Sequence, residues 1–121
     1  MTEINTQKTS NIKDLFGICP YFTSQKLLSG KWSLLILHHL ENGAVRFKEL
    51  ERLLVPITQA TLTKQLRSME NEGLIIRTVY NQIPPKVEYS LSPIGEKFHI
   101  VLSALHVWGD EYIEYLNIKK S

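Results

Sequence analysis

The chain is predicted to be mainly α-helical with a single small β-hairpin, and three observations carry that reading. Apolar residues recur at helical spacing in the segments that follow Arg46, Thr58 and Pro93, while residues 75–91 alone alternate with the period of two that marks half-buried strands. The boundaries between these segments hold residues that stop or start helices, namely Gly30, Asn42-Gly43, Pro56, Gly73 and Ser92-Pro93. At 121 residues there is room for one hydrophobic core, since a domain takes about 100–200 residues.

Residues 1–14 have few apolar side chains and no periodicity, and are expected to form a mobile arm ahead of a single domain over residues 15–121. Pro20 suits a first helical turn, where its missing N–H costs nothing, and the first helix is expected to run to Ser29 and stop at Gly30. Trp32, Leu34, Leu35, Ile36, Leu37 and Leu40 make the next segment, to Glu41, apolar on most of its faces and hence central. Val45-Arg46 is short enough for a minimal strand before a third helix carrying Phe47, Leu50, Leu53 and Leu54, which Pro56 closes. Thr58 then caps a fourth helix over about residues 58–72, stapled by Ile57 and Leu62 and ended by Gly73. At 100° per residue Leu62, Leu66 and Met69 share one face, leaving Ala60, Lys64, Arg67 and Asn71 opposite.

Beyond Gly73, Ile75, Arg77 and Val79 alternate with Ile76, Thr78 and Tyr80; after Asn81-Gln82-Ile83-Pro84-Pro85 the alternation resumes through Val87, Tyr89 and Leu91. This predicts a two-stranded wing over about residues 75–91. Ser92-Pro93 opens a last helix, about residues 93–117, with Ile94, Phe98, Val101, Leu105, Trp108, Tyr112 and Tyr115 in 4-3 spacing.

Composition narrows the function classes. With 43% hydrophobic and 21% charged residues the chain has the balance of a folded globular protein rather than a disordered one. The run Leu34-Leu35-Ile36-Leu37 falls far short of the ~18 apolar residues of a membrane span, and the polar start lacks the features of a secretory signal. A cytoplasmic, nucleoid-associated location without a membrane partner is therefore expected. The net charge of +2 is too small to indicate a nucleic-acid partner by itself, so the distribution of charge decides. It is most basic in the middle third.

Three helices, a tight turn at Pro56, a fourth helix and a hairpin form the layout of a winged helix-turn-helix. In that layout the fourth helix enters the major groove of duplex DNA. Gln59, Thr61 and Thr63 have the amide and hydroxyl groups that suit base edges, and Lys64 and Arg67 can reach phosphate or guanine. No acidic residue stands between Thr58 and Arg67. Arg46, Lys48 and the wing-tip Lys86 are further candidate contacts, each with the alternative of a solvated surface charge.

The ordered pieces Cys19-Pro20, Gly30-Lys31-Trp32, Arg46-Phe47-Lys48-Glu49-Leu50, Thr61-Leu62-Thr63-Lys64-Gln65-Leu66, Glu72-Gly73-Leu74-Ile75 and Val87-Glu88-Tyr89-Ser90-Leu91-Ser92-Pro93-Ile94-Gly95 together resemble the HxlR-type bacterial transcription regulators. The resemblance covers about residues 19–112, with Met69 and Ser92 where leucine and threonine are common. It implies a homodimeric, MarR-like winged-helix regulator on a palindromic DNA operator, with the first and last helices as dimerisation helices. Ile94, Phe98, Val101, Leu105, Trp108 and Tyr112 would then face a partner subunit at least in part. The resemblance also implies that Cys19 stands where several family members sense oxidants or electrophiles. A thiol at a helix start lies at the positive end of the helix dipole, which favours the thiolate; the alternative is a small packing residue.

No cofactor or metal is expected. Adjacent His38 and His39 diverge by 100°, and His99 and His106 lie two turns apart with no carboxylate or thiol in company. Trp32, Trp108, Tyr112 and Tyr115 suit a small-molecule effector pocket or ordinary packing. An enzyme using Cys19 with a histidine is disfavoured, since there is no phosphate-binding glycine loop, no H-E-x-x-H and no G-x-S-x-G. A winged helix that binds only protein would need the outward face of the fourth helix for that partner.

Overall fold

The computed structural model describes residues 15–120, so the expected arm over residues 1–14 lies outside the described residues. The elements are α1 (Pro20–Leu27), α2 (Ser33–His39), β1 (Val45–Arg46), α3 (Phe47–Leu53), α4 (Gln59–Asn71), β2 (Ile75–Tyr80), β3 (Lys86–Leu91), α5 (Pro93–Glu96) and α6 (His99–Lys120). None of the described helices is long and apolar enough to cross a membrane.

The core forms where the helical stripes meet the wing. Ile36, Leu37 and Leu40 come from α2 and its end, Leu50 and Leu54 from α3 and its end, Leu62, Leu66 and Met69 from α4, and Ile75 and Tyr89 from the sheet. Each fully buried side chain of this size contributes about 1.5–3 kcal/mol relative to exposure, so α4 is held chiefly by its apolar stripe. Ile57 and Leu62 are both in the core, which fixes how the chain enters α4. At the other end Gly73 adopts φ +82°, its N–H donates to Glu70 O, and Leu74 N–H donates to Met69 O; these two bonds satisfy the last turn.

The sheet has three strands rather than the two of a plain hairpin. β3 lies in the middle, antiparallel to β2 along its length and to the two-residue β1, with Val45 opposite Tyr89 and Arg46 opposite Glu88. The short strand covers one end of an otherwise open edge of β3 and delivers the chain directly into α3.

The last helix also differs from the expected single rod. Its 4-3 pattern runs unbroken, yet the backbone turns at Lys97–Phe98. Ser92 is buried, accepts the N–H of Gly95 (3.1 Å) and donates to Gly73 O (2.6 Å), which fastens α5 to the turn after α4. A Cβ at Gly95 would stand 2.2 Å from Leu74 O, so only glycine permits this approach. Phe98 N–H then bonds Gly95 O (3.1 Å), a tight i to i+3 closure, before α6 begins. As a result Phe98, expected on the intersubunit stripe, packs with Leu102 against the core of its own chain. Ile94, Val101, Leu105, Trp108 and Tyr112 remain exposed.

Candidate nucleic-acid interface

With its apolar stripe in the core, α4 turns Ala60, Lys64, Arg67 and Asn71 to the surface. Its start is set by Thr58, whose hydroxyl accepts the Thr61 N–H (3.1 Å) and donates to the Thr61 hydroxyl (2.9 Å). Thirteen residues give a rod of about 20 Å, long enough to lie across a major groove ~12 Å wide.

Beside this rod runs a groove of about 730 Å³ between α4 and the wing, lined by Gln59, Thr63 and Arg67 of α4, Arg46 and Lys48 at the start of α3, and Lys86 on β3. Six of the eight residues expected to meet DNA therefore line one continuous depression, and Lys64 joins Gln59, Thr63 and Arg67 along the outward face of α4. Thr61 is apart: its hydroxyl is engaged with Thr58, and it lines a different depression on the flank of α4 away from the wing.

Arg77 also lines the groove, and sequence reasoning missed it. On a strand it reads as one more alternating residue, and only the packing of β2 beside α4 brings it there. Among the described residues Arg46, Lys48, Lys64, Arg67 and Arg77 have no ion pair. Lys86 does have partners, with Nζ 3.3 Å from Glu88 and 4.5 Å from the centre of the Tyr80 ring. Arg52, by contrast, is spent on Glu49 one turn earlier. Among the described residues Glu70 is the one carboxylate lining the groove. Cations left without internal partners around an accessible helix are what a polyanion requires, because each phosphate neutralised releases bound counterions.

The other candidates separate. Cys19 is half-buried directly before α1. Trp32 packs on the core, whereas Trp108 stacks on Tyr112 and Tyr112 leans on Tyr115 along exposed α6, with no ring contact joining the two groups among the described residues. The histidines do have carboxylate company, contrary to expectation. His38 and His99 both hydrogen-bond Glu41, with Nδ1 at 3.1 and 2.9 Å from its two oxygens, and His106 lies 3.7 Å from Asp110. These hydrogen bonds hold the Glu41 carboxyl below its ordinary range, that from His99 contributing most and that from His38 next. The arrangement ties α2 to α6; no group of three or more ligating side chains among the described residues could hold a metal ion.

This order of helices, with a three-stranded wing beside an exposed polar-basic helix, defines a winged helix-turn-helix regulator. The family profile described as HxlR-like helix-turn-helix matches residues 27–117, and the chain belongs to that family. It is 44% identical over 99 residues to the uncharacterized HTH-type transcriptional regulator YdeP of Bacillus subtilis, spanning 82% of this chain and 77% of that one. It is 49% identical over 88 residues to YtcD, another uncharacterized regulator of that organism, spanning 73% and 70%. Among solved structures, the redox regulator HypR in its reduced form superposes with a TM-score of 0.77 at 36% identity, covering 82% of this chain and 98% of HypR. The reduced form of YodB from B. subtilis gives 0.68 at 32%, covering 78% and 94%. The protein is a transcription regulator of the helix-turn-helix type with a MarR-like winged fold.

Proposed function

We propose that the protein binds a palindromic DNA operator as a homodimer, with α4 in the major groove and the wing against the adjacent backbone. Gln59 and Thr63 face base edges, Arg67 reaches guanine, and Lys64, Arg46, Lys48 and Lys86 hold phosphates; Thr61 contributes from the flank. The observation that carries this reading is the set of cations without internal partners around α4 and its groove. Two-fold symmetry requires half-sites one helical turn, or a multiple, apart. Selection of bound sequences from random duplexes tests the reading: an inverted repeat with that spacing is expected, and a pool with no enriched sequence overturns it.

Cys19 makes the binding responsive to oxidants or electrophiles. HypR has been solved in reduced and oxidized forms and YodB in reduced and diamide-treated forms, and Cys19 is a free, half-buried thiol directly before α1. With diamide, two Cys19 thiols of a dimer give up two protons and two electrons to the diamide, which is reduced, and an S–S bond forms between subunits. Diamide is expected to alter operator affinity of the parent and leave Cys19→Ser unaffected; an equal response from both removes Cys19 from the mechanism.

A further inference from the structure

A helix seated in the major groove lies between two phosphate backbones, so the wing-side groove accounts for only one of them. On the opposite flank of α4, a separate notch of about 220 Å³ opens between the end of α1, the 29–33 turn and α4. Its cations are Lys26 and Lys64, and Thr61 lines it with them; the Ser29 hydroxyl donates to Lys26 O (2.9 Å) and that of Ser68 to Glu72. Lys26 is exposed and makes no ion pair among the described residues. Glu72, at the rim, is near enough to feel the Lys26 charge without closing a bridge; partial burial pushes its carboxyl up, while a hydrogen bond from Ser68 and the Lys26 charge pull the other way.

The floor of this notch is built rather than incidental. Gln65 of α4 reaches across and its amide donates to the Ser33 hydroxyl (3.2 Å), and Ser33 is fully buried at the start of α2. A Cβ on Gly30 would lie 2.5 Å from the Gln65 amide oxygen, so glycine makes room for the crossing side chain. The bond locks the turn that follows Lys26 to the turn of α4 that carries Lys64.

We propose that this notch receives a phosphate of the second DNA strand wall, with Lys26 as a backbone contact paired to Lys64 on the flank of α4 away from the wing. The inference rests on the DNA-binding reading and extends the footprint to α1. It places a phosphate clamp on each side of the reading helix, so that α4 is held in depth and tilt rather than pivoting about the wing.

The test is the salt dependence of binding to a labelled duplex carrying the selected site, for the parent, Lys26→Gln, Lys26→Arg and the distant control Lys119→Gln. Each lost phosphate contact lowers the slope of log K against log salt by about 0.9. Lys26→Gln is expected to show that drop per subunit bound, Lys26→Arg and Lys119→Gln to keep the parental slope, and all four to share one unfolding midpoint. A Lys26→Gln slope equal to the parental one overturns this inference while leaving the DNA-binding reading intact. Failure of the parent to bind any duplex overturns both together.

Discussion

Lys64 and Arg67 are three residues apart on α4, close enough to act on the same stretch of duplex, yet their chemistry assigns them different work. The guanidinium is a planar fork that matches the O6 and N7 of guanine, whereas the ammonium is a point charge suited to phosphate. Replacing Arg67 by alanine is therefore expected to weaken binding to the selected site by about 1–3 kcal/mol and to relax preference at one base pair. Replacing Lys64 by alanine is expected to weaken all duplexes alike and to reduce the salt slope by about one unit per subunit. Titrations against the selected site and a scrambled duplex separate the two; equal losses on both duplexes for Arg67→Ala would remove it from base reading. Much of this face was legible from residue spacing, because Leu62, Leu66 and Met69 leave only one side of α4 free. Arg77, Lys26 and the Glu41 contacts were not. They depend on which strand, turn or helix packs beside another, and local periodicity contains no such information.

At the scale of elements, α2 carries a titratable weak point at its last turn. Partial burial lowers the affinity of His39 for a proton below its ordinary value of 6.5, and the neighbouring charge of His38 adds to the effect. The unfolded chain thus takes up a proton at His39 more readily than the folded one, so stability falls as pH drops through about 6.5. Glu41 acts in a lower window: its depressed carboxyl stabilises the fold above the ordinary carboxylate value of 4.5 and loses that contribution only as pH falls below it. Between the two windows Glu41 keeps its charge, and there His39→Gln is expected to lessen the loss of melting temperature on acidification from neutral pH. An unchanged slope would place the proton uptake elsewhere. Elements were mostly readable because their ends carry strong local signals: Pro20, Thr58, Gly73 and Ser92 all sit at the boundaries they mark. The break between α5 and α6 was hidden because the 4-3 apolar pattern continues straight across it. Its cause, the contact of Gly95 with Leu74 O, joins residues far apart in sequence.

For the whole molecule, the fate of α6 matters most. Its first turns are anchored to the body by Phe98 and Leu102, but Val101, Leu105, Val107, Trp108, Tyr112, Ile113, Tyr115, Leu116 and Ile118 are exposed. Of these, Val101, Leu105, Trp108, Tyr112 and Tyr115 share one face of the helix, and an exposed apolar stripe of that length marks a place where another protein surface packs. In the dimer we propose, a second α6 covers it, and the separation of the two α4 rods follows from how the two long helices cross. Charge placed in the middle of that surface tests the arrangement without touching the winged core. Leu105→Asp and Trp108→Asp are expected to convert the dimer into a monomer by sedimentation, because an unpaired carboxylate buried between two subunits is strongly disfavoured. The core should keep its helix content, since neither residue belongs to it. Operator affinity should then fall steeply while binding to a single half-site persists weakly, as one α4 no longer gains from its partner's attachment. A variant that stays dimeric, or a monomer that binds the full operator as tightly as the parent, would show that α6 does not set the spacing of the reading helices.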